Sequence, residues 1–165
     1  MFTGISYVIY GSSSFGANFD LNNINGTNGF AIEGNTLGQG LGTVISPAGD
    51  LNNDGFDDMA IGAPGLFLMG QAHIGTAYII YGNHAGFSAT MNVSDLDGTN
   101  GFAIPGLSGT DEMLGFVSAG GDINGDNIDD LMIGVPHNIF GGSSGIGGGY
   151  ICLLYTSPSP RDTLL

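Results

Sequence analysis

A short acidic loop that occurs twice with the same spacing is the feature that most constrains this chain. Within nine residues, each copy places four side chains that carry oxygen: Asp50, Asn52, Asp54 and Asp58 in the first, and Asp122, Asn124, Asp126 and Asp130 in the second. The copies match position by position, 72 residues apart. One such loop is compatible with a solvated turn, whereas two indicate a repeated unit in which the loop has a shared role.

The donor types and their spacing favour a hard cation. Ca²⁺ takes about six to eight oxygen ligands at roughly 2.3–2.6 Å, and alternate positions of a tightly turning loop point inward. We therefore predict one Ca²⁺ in each loop, with the backbone carbonyl of Phe56 as a further ligand in the first. Gly55 allows the sharp turn, and Asn127, at the same position of the second copy, tolerates the left-handed backbone that the turn needs.

Two other interpretations of the acidic loops compete with this one. An EF-hand needs a bidentate Glu at its twelfth position and flanking helices; that position is Ile61 in one copy and Ile133 in the other, inside predicted strands, so we reject it. An acidic turn that binds no metal remains open. Asp57 and Asp129, each one residue before the last candidate ligand, are expected to be solvated or to form hydrogen bonds at the start of a strand. The alternative is that they accept hydrogen bonds in the outer coordination sphere of the metal.

Composition excludes several classes of function. The 165 residues include 15 acidic and 1 basic side chains, a formal net charge of −14. Nucleic-acid binding is disfavoured, because phosphate contacts need a basic surface. No apolar run approaches the ~18 residues of a membrane-spanning helix, so we expect no membrane insertion by this segment. The single Cys152 excludes an intrachain disulfide.

Short β-branched and aromatic runs between glycine-rich turns predict an all-β fold. The predicted strands include Ile5–Gly11, Phe30–Ile32, Leu41–Ser46, Met59–Ile61, Tyr78–Tyr81 and Phe102–Ile104. Phe30–Ile32 is expected at an outer edge of its sheet. About four strands fall in each unit, which fits β-propeller blades of four antiparallel strands. Because a closed ring takes about four to eight blades, we predict an incomplete propeller.

The repeat also predicts where the units begin and end. Residues 1–36 are interpreted as the C-terminal half of one blade, 37–107 as a complete blade, and 108–151 as the N-terminal part of the next. Residues 152–165 depart from the repeat and resemble the translation of a transposon adapter used in shotgun sequencing libraries. We interpret them as a sequencing-adapter artefact; a degenerate strand followed by a Ser/Pro linker is the alternative.

Three motifs in each unit together resemble the FG-GAP repeat of integrin α-subunit β-propellers. In the first unit Leu41-Gly42 precedes the acidic loop and Gly62-Ala63-Pro64 follows it; the second unit has Leu114-Gly115 and Gly134-Val135-Pro136. The resemblance covers almost all of the chain before residue 152. It implies a structural Ca²⁺ in each loop, bound by Asp50, Asn52, Asp54, Asp58 and the Phe56 carbonyl, and by Asp122, Asn124, Asp126, Asp130 and the Ile128 carbonyl.

The same resemblance implies an extracellular or cell-surface module for cell adhesion or protein–protein interaction. Recognition would use the loops Gly65–Gly75, Gly82–Asp97 and Phe140–Gly149 on a rigid scaffold. No nucleophile motif, and no carboxylate pair outside the acidic loops, indicates catalysis, so we predict that the segment is not an enzyme. Its expected partners are the remaining blades of a longer chain and an unidentified protein or glycan.

Two alternative functions stay open at this point. A carbohydrate-binding propeller would use loop aromatic residues, of which Phe67, Phe87 and Phe140 are candidates. An accessory propeller attached to an enzyme, such as a phospholipase or lyase, would leave the chemistry to another part of the chain. The loop histidines are expected to be surface residues rather than zinc ligands, because no cysteine accompanies them; they are His73, His84 and His137.

Overall fold

The structure is a computed structural model that describes residues 3–65, 74–106, 114–135 and 148–153. These residues form ten strands: β1 (Ile5–Ile9), β2 (Gly29–Glu33), β3 (Val44–Gly49), β4 (Asp58–Ala63), β5 (Thr76–Ile80), β6 (Thr90–Asn92), β7 (Gly101–Pro105), β8 (Phe116–Gly121), β9 (Asp130–Val135) and β10 (Gly148–Cys152). Two short 3-10 turns, Leu21–Asn23 and Val93–Asp95, are the only helical elements in the described ranges. The prediction of an all-β fold is confirmed.

The strands form three small sheets. The first has the order β1-β2-β6, the second β3-β4-β5-β7, and the third β10-β9-β8. All neighbouring strands are antiparallel except β2 and β6, which are parallel. The first acidic loop joins β3 to β4, and the second joins β8 to β9, so both loops lie at the same end of equivalent hairpins.

The second sheet is buried on both faces, between the first sheet and the third. Along β5, Tyr78 and Ile80 belong to an apolar cluster shared with the first sheet, whereas Ala77 and Ile79 belong to a cluster shared with the third. All five residues of β5 are buried. Because side chains alternate between the two faces of a strand, this double burial explains why β5, after Thr76 at its start, consists of apolar and aromatic residues and does not alternate with polar ones.

Glycines of the repeat allow the backbones of neighbouring sheets to touch. A Cβ on Gly62 would lie 1.6 Å from the carbonyl oxygen of Gly115 in the next unit, and one on Gly75 would lie 1.9 Å from that of Leu114. Any larger residue at Gly62 or Gly75 would force the second and third sheets apart. The Leu-Gly and Gly-Ala-Pro motifs of successive units are therefore the places where one sheet packs on the next.

The structure corrects one prediction about the strands and places another segment unexpectedly. Phe30–Ile32 is not at an outer edge, because β2 lies between β1 and β6. The added strand β6 comes from the long connection after β5 and pairs with the first sheet, although the sequence indicated only a loop there. At the other end of the chain, β10 continues to Cys152, which pairs with Leu131. The described part of the chain contains no helix with the length and apolar character needed to span a bilayer.

Candidate metal centre

Three candidate ligands of the first acidic loop are held together by hydrogen bonds to the loop backbone. The amide of Asp54 donates to Asp50 Oδ1 at 3.0 Å and to Asn52 Oδ1 at 3.1 Å. The amide of Gly55 donates to Asp50 Oδ2 at 2.9 Å. In addition, Asn52 Nδ2 donates to Asp54 Oδ2 at 2.9 Å. These bonds fold the side chains of Asp50, Asn52 and Asp54 over a single turn of backbone.

The second acidic loop repeats this arrangement. The amide of Asp126 donates to Asp122 Oδ1 at 3.0 Å and to Asn124 Oδ1 at 2.9 Å, and the amide of Asn127 donates to Asp122 Oδ2 at 2.9 Å. Asn124 Nδ2 donates to Asp126 Oδ2 at 3.0 Å. The hydrogen bonds donated by backbone amides, that from Asn127 above all, hold the pKa of the Asp122 carboxyl below its ordinary value. The duplication seen in the sequence is thus a duplication of geometry.

The loop backbone explains why glycine and asparagine alternate between the copies. Gly55 has φ 90° and Asn127, at the same position of the second loop, has φ 68°. Two residues earlier in each loop, Asn53 has φ 57° and Gly125 has φ 78°. Only glycine and, less readily, asparagine adopt such angles at low cost. The prediction that Asn127 replaces a glycine in a left-handed turn is confirmed.

The last candidate ligand of each loop is buried at the first residue of the outgoing strand. Asp58 and Asp130 are 1% and 0% exposed. Asp58 Oδ2 accepts from the amide of Leu51 at 2.9 Å, and Oδ1 accepts from that of Gly82 at 2.8 Å. Asp130 Oδ2 accepts from the amide of Ile123 at 2.8 Å. Each carboxylate therefore ties the end of its loop back to the residue after the first candidate ligand.

Burial places the Asp58 carboxylate in an unfavourable electrostatic environment. Loss of solvent raises the pKa of Asp58, the amides of Gly82 and Leu51 lower it, and the nearby charges of Asp54 and Asp50 raise it further. The net shift is upward. A cation held by the loop would relieve both the burial and the repulsion between like charges.

The loop residues fit a hard cation by their chemistry, while their present arrangement serves hydrogen bonding within the loop. All candidate side-chain ligands are carboxylate or amide oxygens, the donors that Ca²⁺ prefers. In the described residues, no three or more Asp, Glu, His or Cys side chains converge as a metal site. The structure brings Asp50, Asn52 and Asp54 together, and Asp122, Asn124 and Asp126, but turns Asp58 toward the amides of Leu51 and Gly82.

The two candidate carbonyl ligands belong to residues with different side-chain environments. Phe56 is 39% exposed, and its ring lies 6.3 Å from that of His84, edge to face. Ile128, its counterpart in the second loop, is 4% exposed. Ile128 thus anchors its loop to the apolar interior, whereas Phe56 remains at the surface.

Asp129 joins the two acidic loops to each other. The sequence predicted that its side chain would be solvated or would form a hydrogen bond at the start of a strand. Asp129 Oδ2 accepts from the amide of Asp50 at 3.0 Å, and the amide of Asp129 donates to the Asp50 carbonyl at 3.4 Å. Asp129 therefore forms a hydrogen bond beside the start of β9, one of the two expectations for it, and its partner, which the sequence did not indicate, lies in the other loop. Asp57, its counterpart in the first loop, is exposed.

Sequence reasoning also missed the role of a glycine that follows β5. The amide of Gly82 holds Asp58, and a Cβ at this position would lie 2.5 Å from the carbonyl oxygen of Asp57. The signal was present as a Tyr-Gly pair at the end of two equivalent strands, Tyr10-Gly11 and Tyr81-Gly82. That pair indicated only a strand end, because nothing in the sequence shows which loop lies beside it.

Most of the loops proposed for recognition lie outside the described residues. This holds for Phe67, Phe140, His73 and His137 and for the greater part of two of the three loops. Most of the third loop is exposed, but the ring of Phe87 stacks on Phe30, with centroids 4.1 Å apart and an interplanar angle of 10°. One face of the Phe87 ring is therefore covered by packing.

Comparisons with known proteins identify the repeat. The FG-GAP repeat family matches residues 41–80. Phosphatidylinositol-glycan-specific phospholipase D from Bos taurus is 36% identical over 96 residues, and that from Homo sapiens is 38% identical over the same length; each alignment covers 58% of this chain and 11% of the relative. Integrin alpha-6 from Gallus gallus is 34% identical over 111 residues, covering 67% of this chain and 9% of the relative. The chain thus spans about a tenth of the length of these relatives.

Proposed function

Because this chain is an FG-GAP repeat segment, homologous in part to integrin alpha subunits and to phosphatidylinositol-glycan-specific phospholipase D, we propose that it is a calcium-stabilised β-propeller module of an extracellular or cell-surface protein. In this proposal the module is not catalytic, and it supports cell adhesion or protein–protein interaction. The single observation that carries the calcium role is the duplicated loop, in which the same side chains make the same hydrogen bonds twice.

The candidate ligands remain those indicated by the sequence. In the first loop they are Asp50, Asn52, Asp54, Asp58 and the Phe56 carbonyl; in the second they are Asp122, Asn124, Asp126, Asp130 and the Ile128 carbonyl. When bound, Ca²⁺ would supply the positive charge that the clustered carboxylates lack. An ion shared by Asn52 and Asp54 would compete with the hydrogen bond between their side chains.

The role of the ion in this proposal is structural, because of where the loops lie. Each loop joins two adjacent strands of one sheet, and its last carboxylate is buried at the start of the second strand. Binding free energy at such a place is folding free energy. A dissociation constant of about 10⁻⁴–10⁻³ M, as in other extracellular calcium modules, would suffice where Ca²⁺ is abundant.

Calcium titration of the full chain tests the proposal. Isothermal titration should detect two sites, and thermal unfolding in Ca²⁺ should occur at a higher temperature than in a chelator. Asp54→Ala and Asp126→Ala should each remove one site and keep the other. Mg²⁺ serves as the control ion, because its strict octahedral preference suits this loop less well. The calcium role would be overturned if about 10 mM Ca²⁺ produced no binding heat and no stabilisation. That concentration is ten times the highest dissociation constant expected for such modules, about 1 mM.

An accessory module of an enzyme is the second candidate, supported by the relatives named phospholipase D. In that case the repeat would hold or orient a catalytic domain encoded elsewhere in the same gene. The complete coding sequence separates the two candidates: a catalytic domain in the same reading frame favours the accessory role. Further adhesion-type modules without one favour the first proposal.

A further inference from the structure

One connection of the second unit reaches back and extends the sheet of the first unit. We call residues 87–92 the second strap; it contains β6, which pairs in parallel with β2 so that Thr90 lies opposite Ala31. The amide of Ala31 donates to the Ala89 carbonyl at 2.9 Å. Phe87 covers Phe30, and Met91 packs into the same apolar cluster. The strap is thus attached by both backbone pairing and side-chain burial.

The strand equivalent to β2 in the next unit has no such cover among the described residues. β7 repeats the Gly-Phe-Ala-Ile sequence of β2, and it is the last strand of its sheet. Phe30 and Ile32 of β2 are each 0% exposed. Phe102 and Ile104 of β7 are only partly buried, and Ala103 is exposed. Because β2 and β7 share the sequence Gly-Phe-Ala-Ile and each pairs with an equivalent antiparallel strand, we attribute the difference in burial to the strap.

The turns before the two strands show the same contrast. Gly26 and Gly98 have nearly equal φ angles, 88° and 92°, and the same hydrogen-bonded turn. A Cβ on Gly26 would lie 2.7 Å from the Phe87 carbonyl oxygen, because the strap crosses this turn. A Cβ on Gly98 would meet nothing within 4 Å. Among the described residues, nothing fills the corresponding space beside the second sheet.

A matching strap occurs earlier in the chain, and it pairs with no strand among the described residues. Residues 15–20, the first strap, read Phe-Gly-Ala-Asn-Phe-Asp and align with Phe-Ser-Ala-Thr-Met-Asn of the second strap. Both are followed by a 3-10 turn with an Asp or Asn cap. Phe15 is 52% exposed and Leu21 43%, whereas Val93, the counterpart of Leu21, is 4% exposed. By the same 72-residue period a third strap would fall at residues 159–164, which read Ser-Pro-Arg-Asp-Thr-Leu and share none of the pattern.

We propose that the outer edge of β7 is a strand-addition site that takes the strap of a neighbouring FG-GAP repeat, an extended segment with the pattern Phe-x-Ala-x-(Phe/Met)-(Asp/Asn). Each repeat then latches its strap onto the outer strand of the repeat before it. Backbone pairing provides the attachment, and the aromatic residue at the first position gives selectivity by stacking on the partly buried Phe102. This proposal does not depend on calcium binding.

The observed pairing defines the register on β7. In the proposed complex, the residue of the added strap that corresponds to Thr90 lies opposite Ala103, as Thr90 lies opposite Ala31 in the observed pairing. The amide of Ala103 then donates to the carbonyl of the strap residue that corresponds to Ala89. Pro105 stands where Glu33 does in β2 and has no N–H, so the edge of β7 offers fewer donors. A free strap peptide is therefore expected to bind more weakly than the strap within the chain, and cross-linking is the appropriate measurement.

Disulfide trapping with the full chain tests the site directly. A synthetic peptide of residues 87–96 carrying Thr90→Cys is equilibrated in a glutathione buffer with the chain carrying Ala103→Cys. We expect at least tenfold more mixed disulfide than with a control chain carrying Thr43→Cys, an exposed position beside the opposite edge of the same sheet. Cys152 is present in both chains and provides an internal reference.

Amide exchange provides a second readout that needs no cysteine. The unmodified peptide should slow exchange of the Ala103 amide, and a peptide with Phe87→Ser should not. Equal trapping at positions 103 and 43, together with unchanged exchange at Ala103, would overturn the proposal. Trapping at 103 that is equally strong with a scrambled peptide would also overturn it, because the edge would then accept any extended segment.

Discussion

The Asp129 carboxylate accepts a hydrogen bond from the backbone amide of Asp50 at 3.0 Å, across 79 residues of sequence. Asp129 precedes the last candidate ligand of the second loop, and Asp50 is the first candidate ligand of the first loop. Gly49 makes the contact possible, since a Cβ there would lie 2.0 Å from Asp129 Oδ2. Hydrogen bonds between the two acidic loops therefore hold them against each other.

Removal of this carboxylate should destabilise the chain more than removal of its counterpart. Asp129→Ala leaves the Asp50 amide without its acceptor, and we expect a loss of about 1–3 kcal/mol of unfolding free energy, typical of a hydrogen bond to a charged group. Asp57→Ala is the matched control and should change stability by less than about 0.5 kcal/mol, because Asp57 is exposed. Urea unfolding in a chelator measures both. Equal losses would show that the bond between the loops contributes nothing specific.

Alanine substitutions at two equivalent glycines allow the stability cost of backbone strain to be measured separately from the cost of disturbing the contact between the acidic loops. Gly49 and Gly121 occupy the same repeat position and have φ 77° and 68°. Alanine at either position should cost about 1–2 kcal/mol from the left-handed backbone alone. Gly49→Ala should cost clearly more, because only its Cβ would collide with Asp129, while a Cβ on Gly121 would meet nothing within 4 Å. The melting temperatures of the two variants give the comparison; a smaller loss for Gly49→Ala would contradict it.

Asp97, in the turn before β7, should make the stability of the chain depend on pH under acidic conditions. Hydrogen bonds from the hydroxyl and amide of Thr99 hold the pKa of Asp97 below its ordinary value. A depressed pKa means that the stability linked to Asp97 is present above pH 3.8, the ordinary value, and is lost as pH falls through the lower folded value. Asn25 makes the same bonds in the first unit, so Asp97→Asn should keep the turn.

The unfolding free energy of Asp97→Asn should therefore fall less than that of the unsubstituted chain on acidification below that pH. Unfolding curves at several acidic pH values provide the test, with the same variant at neutral pH as the control for the fold. Parallel curves for the two proteins at all pH values would count against the assigned role of Asp97.

The two straps should respond differently to loss of their aromatic residue. Phe87→Ala removes the ring stacked on Phe30 and should cost about 2–4 kcal/mol, somewhat below the range for fully buried phenylalanine because Phe87 is partly exposed. Phe15→Ala should cost less than about 1 kcal/mol, since Phe15 is 52% exposed and its ring meets the nearby Phe19 ring edge to face. Chemical denaturation distinguishes them, and similar losses would mean that residues 15–20 are already packed.

The conformational preferences of single residues were sufficient to predict the backbone turn of the acidic loops. The positions of Gly55 and Asn127 predict a left-handed turn, because few residues adopt positive φ, and both residues have it. The strand regions were likewise predicted from β-branched and aromatic runs, as in β5, where Tyr78 and Ile79 alternate between two apolar clusters. Propensity and turn chemistry act over a few residues, so the sequence carries them directly.

The long-range partners could not be predicted in this way. The sequence indicated solvent or a strand start for Asp129 and a simple connection for the segment that contains β6, since neither residue type nor spacing shows which surface will face them. The hydrogen bond from Asp50 to Asp129 and the burial of Phe30 under Phe87 arise only when three sheets stack.

The sequence by itself determined the repeat, the strand-rich character and the turn geometry of the loops, because these follow from interactions between residues close along the chain. Only the tertiary structure decided which loop lies against which and which strand edge is covered. Those choices depend on the packing of apolar faces and on where glycine lets two backbones approach. Both involve residues far apart along the chain, such as Asp50 with Asp129, 79 positions away, and Phe30 with Phe87, 57 positions away.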